Sequence, residues 1–146
     1  MRLSEILRDK PFRLIALPPS ATALEVATLM KDEHVGAVLV LDAAGRLQGL
    51  VSERELALAL ATHGAALLRR HVGELMSVGG PTARAEDSVL DAMRAMTERR
   101  ARHVPILDGE TVIGVVSIGD LLKARLVEQA RENAVLQELA RARLAA

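Results

Sequence analysis

Apolar positions fall into two textures along this chain, and their alternation predicts its elements. Runs rich in β-branched residues at Val35 to Leu41, Leu47 to Val51, His103 to Leu107 and Thr111 to Val116 have the length and composition of buried strands. Between them lie stretches with apolar residues three apart. Leu24, Ala27 and Met30 mark one face of a helix opened by Ser20 or Thr22, and Leu90, Met93 and Met96 one face of a helix opened by Asp87 or Ser88. Ser52 opens a Leu- and Ala-rich helix that ends near Gly64. Ser117 opens another that continues almost to Ala146, with no Gly or Pro after Asp120. Leu3 to Leu7 reads as a helical turn. Phe12 to Leu17, stopped by Pro18 and Pro19, and Thr82 to Ala85, after Gly79-Gly80-Pro81, read as further strands.

The elements occur twice. Gly49, Ser52 and Leu56 each lie 65 positions before Gly114, Ser117 and Leu121, while Leu24, Met30, Val38, Leu41 and Asp42 lie 66 before Leu90, Met96, Val104, Leu107 and Asp108. The slip falls in a hairpin, where Asp42 to Arg46 is longer than Asp108 to Glu110, the kind of change a duplication tolerates. Val72 to Met76 likewise resembles Leu3 to Leu7. The expected architecture is an α/β fold of two copies of strand, helix, strand, strand, helix, spanning residues 3–66 and 71–126, with a helical extension over 127–146. Such a unit covers one sheet face with its own helices and needs a partner for the rest, and the other copy is the obvious one.

The chemistry sits where a strand breaks into a helix. Ser117 is a good N-cap, the free amides and dipole of the helix start favour an anion, and Gly119 permits close approach. Asp120, one turn in, offers acceptor oxygens suited to the two hydroxyls of a ribose. A phosphate site beside a diol site points to a nucleotide. Ser52 and Glu55 repeat the device, and Ser52-Glu53-Arg54-Glu55 is also a capping box that fold stabilisation alone explains; Ser117 and Asp120 are open to the same reading.

Lys and Arg number 19 against 19 Asp and Glu, so no net field draws nucleic acid to the chain. Cysteine is absent, which removes disulfides and thiolate chemistry, and no apolar run is long enough to span a membrane; the expectation is a soluble cytoplasmic protein. His34, His63 and His71 share no metal-ligand spacing, and neither serine sits in a Gly-x-Ser-x-Gly elbow with a base to activate it, so a metal site, a cofactor and an enzymatic role are not expected. Phe12 is the one aromatic residue, so a base would be held between aliphatic side chains. Leu122, Leu126, Ala130, Leu136, Ala140 and Leu144 form a thin apolar stripe that suits packing on a second copy of the protein.

In both halves an apolar strand ending in Asp is followed by a turn and then Gly-apolar-apolar-Ser-x-x-acid at a helix start, and Arg99-Arg100-Ala101-Arg102-His103-Val104-Pro105-Ile106 leads into the middle strand of the second. In order and spacing these residues resemble the tandem cystathionine β-synthase (CBS) domain pair, or Bateman module, over residues 3 to 126. The resemblance implies a pseudo-twofold pair with two clefts for adenosine-type ligands, commonly dimerised further. It implies that Ser117 meets phosphate and Asp120 ribose in one cleft, that Ser52 and Glu55 hold the equivalent places in the other, and that Arg102 and His103 face phosphates. Gly36 and Ala37 stand where the first copy would carry such cations, and Glu55 is one methylene longer than the usual Asp. The expected function is regulatory binding of AMP, ADP or ATP, with the signal passed to an unidentified partner protein. The alternatives are a structural dimerisation module and a site for S-adenosylmethionine or another adenosyl ligand.

Overall fold

The structure, a computed structural model, describes residues 1–146. Helix α1 (Leu3–Asp9) precedes β1 (Ala16–Leu17), α2 (Ala23–Glu33), β2 (Ala37–Leu41), β3 (Leu47–Ser52) and α3 (Glu53–His63). A 3₁₀ segment over Gly64–Arg69 leads to α4 (Val72–Leu75), α5 (Val89–Arg99), β4 (His103–Asp108), β5 (Thr111–Ser117) and the 28-residue α6 (Ile118–Ala145). Helices therefore cover two small sheets, as the duplicated pattern implies.

The two hairpins are built on one register. Ala37 pairs with Ser52, Val40 with Gly49 and Leu41 with Leu47; His103 pairs with Ser117, Ile106 with Gly114 and Leu107 with Val112. Each ladder carries an irregularity at the same place, between Val40 and Leu41 and between Ile106 and Leu107. The extra residue of the first copy is absorbed in the turn, where Asp42 Oδ1 accepts the amides of Ala44 and Arg46. The cores also correspond position by position: Val26, Met30, Val38, Val40 and Val51 in one, Ala92, Met96, Val104, Ile106 and Val116 in the other.

Several sequence expectations are corrected. The strand expected over Phe12 to Leu17 pairs only at Ala16 and Leu17, alongside Leu39 and Val40, and Phe12 and Arg13 instead wall a cleft. The strand expected over Thr82 to Ala85 contracts to Ala83, whose backbone bonds Pro105 and Leu107 on either side of Ile106. Thr22 and Ser88 are the caps of α2 and α5, so Ser20 and Asp87 are not. The buried faces of these helices are rotated by one position: Ala23, Val26 and Met30, and Val89, Ala92 and Met96, are the buried residues, while Leu24 and Leu90 are 52% and 46% exposed. Small residues at Ala23 and Ala92 leave room for the helix backbone near its neighbours, which the larger leucines would deny. Met76 and Met93 are half-buried at the core margins. The 3₁₀ segment was not legible as an element; it buries Leu67 against Ala23 and Ala59.

The halves are joined by an exchange of short helices. Leu3 of α1 is fully buried in the second core, and Val72 of α4 fully buried in the first. The leading amides of α1 donate across the halves, Leu3 to Asp87 O at 2.9 Å and Ser4 to Ala85 O at 2.8 Å; Val72 and Gly73 donate to Ala21 O and Pro19 O at 2.7 and 2.9 Å. Helix starts leave such amides without intrahelical partners, so the exchange satisfies them. Two equivalent glycines admit the crossing segments. A Cβ on Gly49 would lie 2.6 Å from Ser77 O and 2.8 Å from Met76 Sδ, and one on Gly114 would run into Leu7 Cδ2.

A backbone carbonyl cannot move aside as a leucine methyl can. Gly49→Ala is therefore expected to cost about 1–3 kcal/mol, and Gly114→Ala less. Urea denaturation of both variants checks the order; equal or reversed losses would contradict it.

Candidate functional site

The exchange leaves two clefts between the halves, each containing one of the two serine-capped helix starts. The smaller, about 370 Å³, is lined by Leu7, Lys10, Phe12, Arg13 and Ile15 from the N-terminal segment, by Val35 to Ala37 and Leu39, and by His103, Val115 and Ser117 of the second half. The larger, about 1060 Å³, takes Ser52 to Glu55 from the first half, the connector from Ser77 to Thr82, and Arg99 to His103 from the second. Both volumes are of the order that small-molecule sites use, about 300–1,000 Å³.

The positions of the cleft walls follow from local sequence. Helices α2 and α5 end in left-handed residues, His34 at φ 54° and Arg100 at φ 51°, so the Val35 and Ala101 amides fold back onto the Met30 and Met96 carbonyls. The chain then turns sharply into the middle strands, laying Gly36 and Arg102 against the next helix starts: Glu53 N donates to Gly36 O at 3.1 Å, and Ile118 N to Arg102 O at 2.9 Å. The two halves thus present their middle strands and helix starts identically, and differ in the side chains placed there.

At the smaller cleft, Ser117 Oγ accepts the Asp120 amide at 3.2 Å, and Asp120 Oδ2 accepts the Ser117 amide at 2.8 Å, a reciprocal capping box. Asp120 Oδ2 also receives Lys10 Nζ at 2.7 Å. Oδ1 takes no hydrogen bond from the protein. Burial acts to raise the Asp120 pKa, but Lys10 and the Ser117 amide outweigh it, so the carboxyl stays below its ordinary value. Lys10 was not singled out from the sequence; a lone lysine after a short helix gave no signal of a carboxylate 110 residues away.

At the larger cleft the Ser52 amide donates to Glu55 Oε2 at 2.7 Å, and the Ser52 hydroxyl is engaged by the same oxygen. Both acids reach back to the amide of their serine, and the longer Glu55 engages the serine hydroxyl as well. Arg102 lines this cleft, with Ser52 and Glu55, and does not line the one at Ser117, whereas His103 borders both. Burial lowers the His103 pKa, and the opposing pull of Asp120, Glu53 and Glu55, with Lys10 acting in the same sense as burial, does not restore it. Of the six residues the sequence singled out, the structure therefore brings Ser117 to one cleft and Ser52, Glu55 and Arg102 to the other, with His103 between; Asp120 does not line the smaller cleft itself and is joined to its wall through Lys10. Neither serine hydroxyl is bonded to a histidine. No three His, Asp or Glu side chains converge on a point where a metal ion would sit.

Comparison with known proteins places this geometry. The sequence model of the CBS domain matches residues 3–62 and again 72–127. The chain belongs to the CBS-domain family. Among similar CBS-domain proteins, YhcV of Bacillus subtilis is 29% identical over 91% of this chain and 94% of its own length. The crystal structure of a CBS-domain-containing protein from Agrobacterium tumefaciens superposes with a TM-score of 0.82 at 32% identity, covering 85% of this chain and 92% of that one. A CBS domain protein from Pyrobaculum aerophilum, complexed with AMP, gives a TM-score of 0.77 at 29% identity over 90% of this chain and 99% of the other. The expected CBS pair with a long final helix is the observed fold. No helix is long and apolar enough to cross a membrane.

The depressed His103 pKa sets a pH dependence. Because the folded imidazole resists protonation, its stabilising contribution is complete above the ordinary value of about 6.5 and is lost as pH falls through the folded pKa. Asp120 has the same sign in a lower window, complete above about 3.9 and lost as pH falls through its own depressed value. Denaturant midpoints should therefore fall from pH 7 to pH 5, and His103→Gln should flatten that fall. An unchanged slope in the variant would contradict the assignment.

Proposed function

We propose that this CBS pair is a non-catalytic regulatory module that binds an adenosine nucleotide at the Ser117–Asp120 cleft. One observation carries the reading: a serine-capped helix start lies on a cleft both halves build, and one turn in stands a carboxylate that has an oxygen without a protein partner and is tied to the cleft wall through Lys10. In this reading phosphate meets Ser117 and the helix start, the two ribose hydroxyls meet the two oxygens of the Asp120 carboxylate, and the base lies among Ile15, Val35, Leu39 and Val115. The AMP carried by the similar Pyrobaculum protein supports the ligand class. Ser52, Glu55, Arg102 and His103 would form a second, more cationic site in the larger cleft.

Because each cleft draws on both halves, a ligand that prefers one relative placement shifts the population toward it, and one with equal affinity for both shifts nothing. The output passes to a partner protein. The cytoplasm is the proposed setting.

Calorimetry with AMP, ATP and S-adenosylmethionine tests this. Asp120→Asn keeps an oxygen for the Ser117 amide and removes the charge, so affinity for the bound nucleotide should fall about tenfold or more while the fold persists. Saturable binding unaffected by the substitution would move the ligand elsewhere, and no binding of any adenosyl compound would favour a purely structural module.

A second role has its own support. From Gln129 onward α6 is exposed on every face, with Val135, Leu136 and Leu139 more than half exposed. This stretch of α6 gains no stability from packing within one chain, where most helical stability in proteins comes from, so we assign its apolar residues to contact with a second copy. Sedimentation should give a dimer for the whole chain and a weaker one when residues 131–146 are removed. An unchanged association would locate the interface elsewhere.

A further inference from the structure

The carboxylate assigned to ribose is already engaged. Lys10 Nζ lies 2.7 Å from Asp120 Oδ2 and 3.4 Å from the Val115 carbonyl oxygen. Lys10 closes α1, which Leu3 anchors in the second core, and Pro11, Phe12, Arg13 and Ile15 beyond it form a wall of the same cleft. Its side chain is 46% exposed, so the ammonium can leave Asp120 without disturbing packed residues. The other Lys or Arg side chain lining this cleft, Arg13, is held by Glu33. Lys10 is thus the cation with charge to transfer.

The consequence depends on what the ligand carries. A nucleoside that draws Asp120 toward its hydroxyls weakens the ion pair and offers the ammonium nothing in return. A ligand that also places a phosphate at Ser117 offers an anion within the same cleft, and the ammonium exchanges one anionic partner for another. The difference between these two exchanges is a difference in affinity, which is what specificity consists of.

We propose that Lys10 is a specificity-determining residue of this cleft: it releases Asp120 to the ribose when the ligand brings a phosphate to receive its charge, and so selects phosphorylated adenosine over the bare nucleoside. This rests on the ribose and phosphate assignment of Ser117 and Asp120. It goes further in giving an unassigned residue a role whose sign differs between two ligands.

Titrating AMP and adenosine into the intact protein and into Lys10→Met separates that role from a structural one. The wild type should favour AMP by about tenfold or more; Lys10→Met should lose about tenfold for AMP and gain a few-fold for adenosine, and Lys10→Arg should retain the preference. Raising salt should weaken AMP binding to the wild type more than to Lys10→Met. A parallel loss for both ligands, or no change for either, would overturn the inference while leaving the nucleotide reading intact. Failure of the wild type to bind either ligand would overturn both. Matching far-UV circular dichroism of the two proteins establishes that the comparison is made on folded material.

Discussion

The burial of Leu3 in the second core and of Val72 in the first is the constraint on which the remaining geometry depends. Each is a fully covered aliphatic side chain, worth about 1.5–3 kcal/mol relative to exposure, and each arrives on a short helix whose first amides are satisfied only by carbonyls of the opposite half. A half of this size would be marginal alone, and here each core is completed by a residue from the other repeat. The cores are interlocked, and the relative placement of the halves is a property of their packing. Gly49 and Gly114 belong to the same constraint, since they let the exchanged segments approach the outer strands.

Two clefts follow from that interlocking, and so does their inequality. The chain crosses from half to half twice, and each crossing passes a strand-to-helix junction: the segment after α1 passes Ser117, and the segment after α4 passes Ser52. At the first junction a short carboxylate is shared between a helix cap and Lys10. At the second, a longer carboxylate folds back on its own serine, and the facing arginines supply the cations. A single duplicated scaffold therefore presents two different electrostatic environments, and the differences come from residues 10, 55 and 102, which lie outside the repeated apolar pattern.

That division also explains what could be read from the sequence. Strand and helix identity, the 65- and 66-residue offsets and the location of the slip are carried by apolar periodicity and turn residues, which act locally. Ser52, Ser117 and their acidic neighbours were visible because capping chemistry has a fixed short spacing. The helix faces were misplaced by one position because Leu24 and Leu90 outweigh Ala23 and Ala92 in hydrophobicity, whereas packing selects by volume. The strand lengths around β1 and Ala83 depend on tertiary pairing, and the Lys10–Asp120 ion pair joins residues far apart in sequence, so neither leaves a local signature.

The central claim is that the interlocked halves hold a nucleotide at the smaller cleft, and amide NMR during titration with AMP tests it most directly. Saturable shifts are expected at Ser117, Gly119 and Asp120 together with Lys10, Phe12, Arg13 and Ile15, which are distant in sequence and adjacent only in this fold. Shifts confined to residues outside that cleft, or none at saturating AMP, would contradict it.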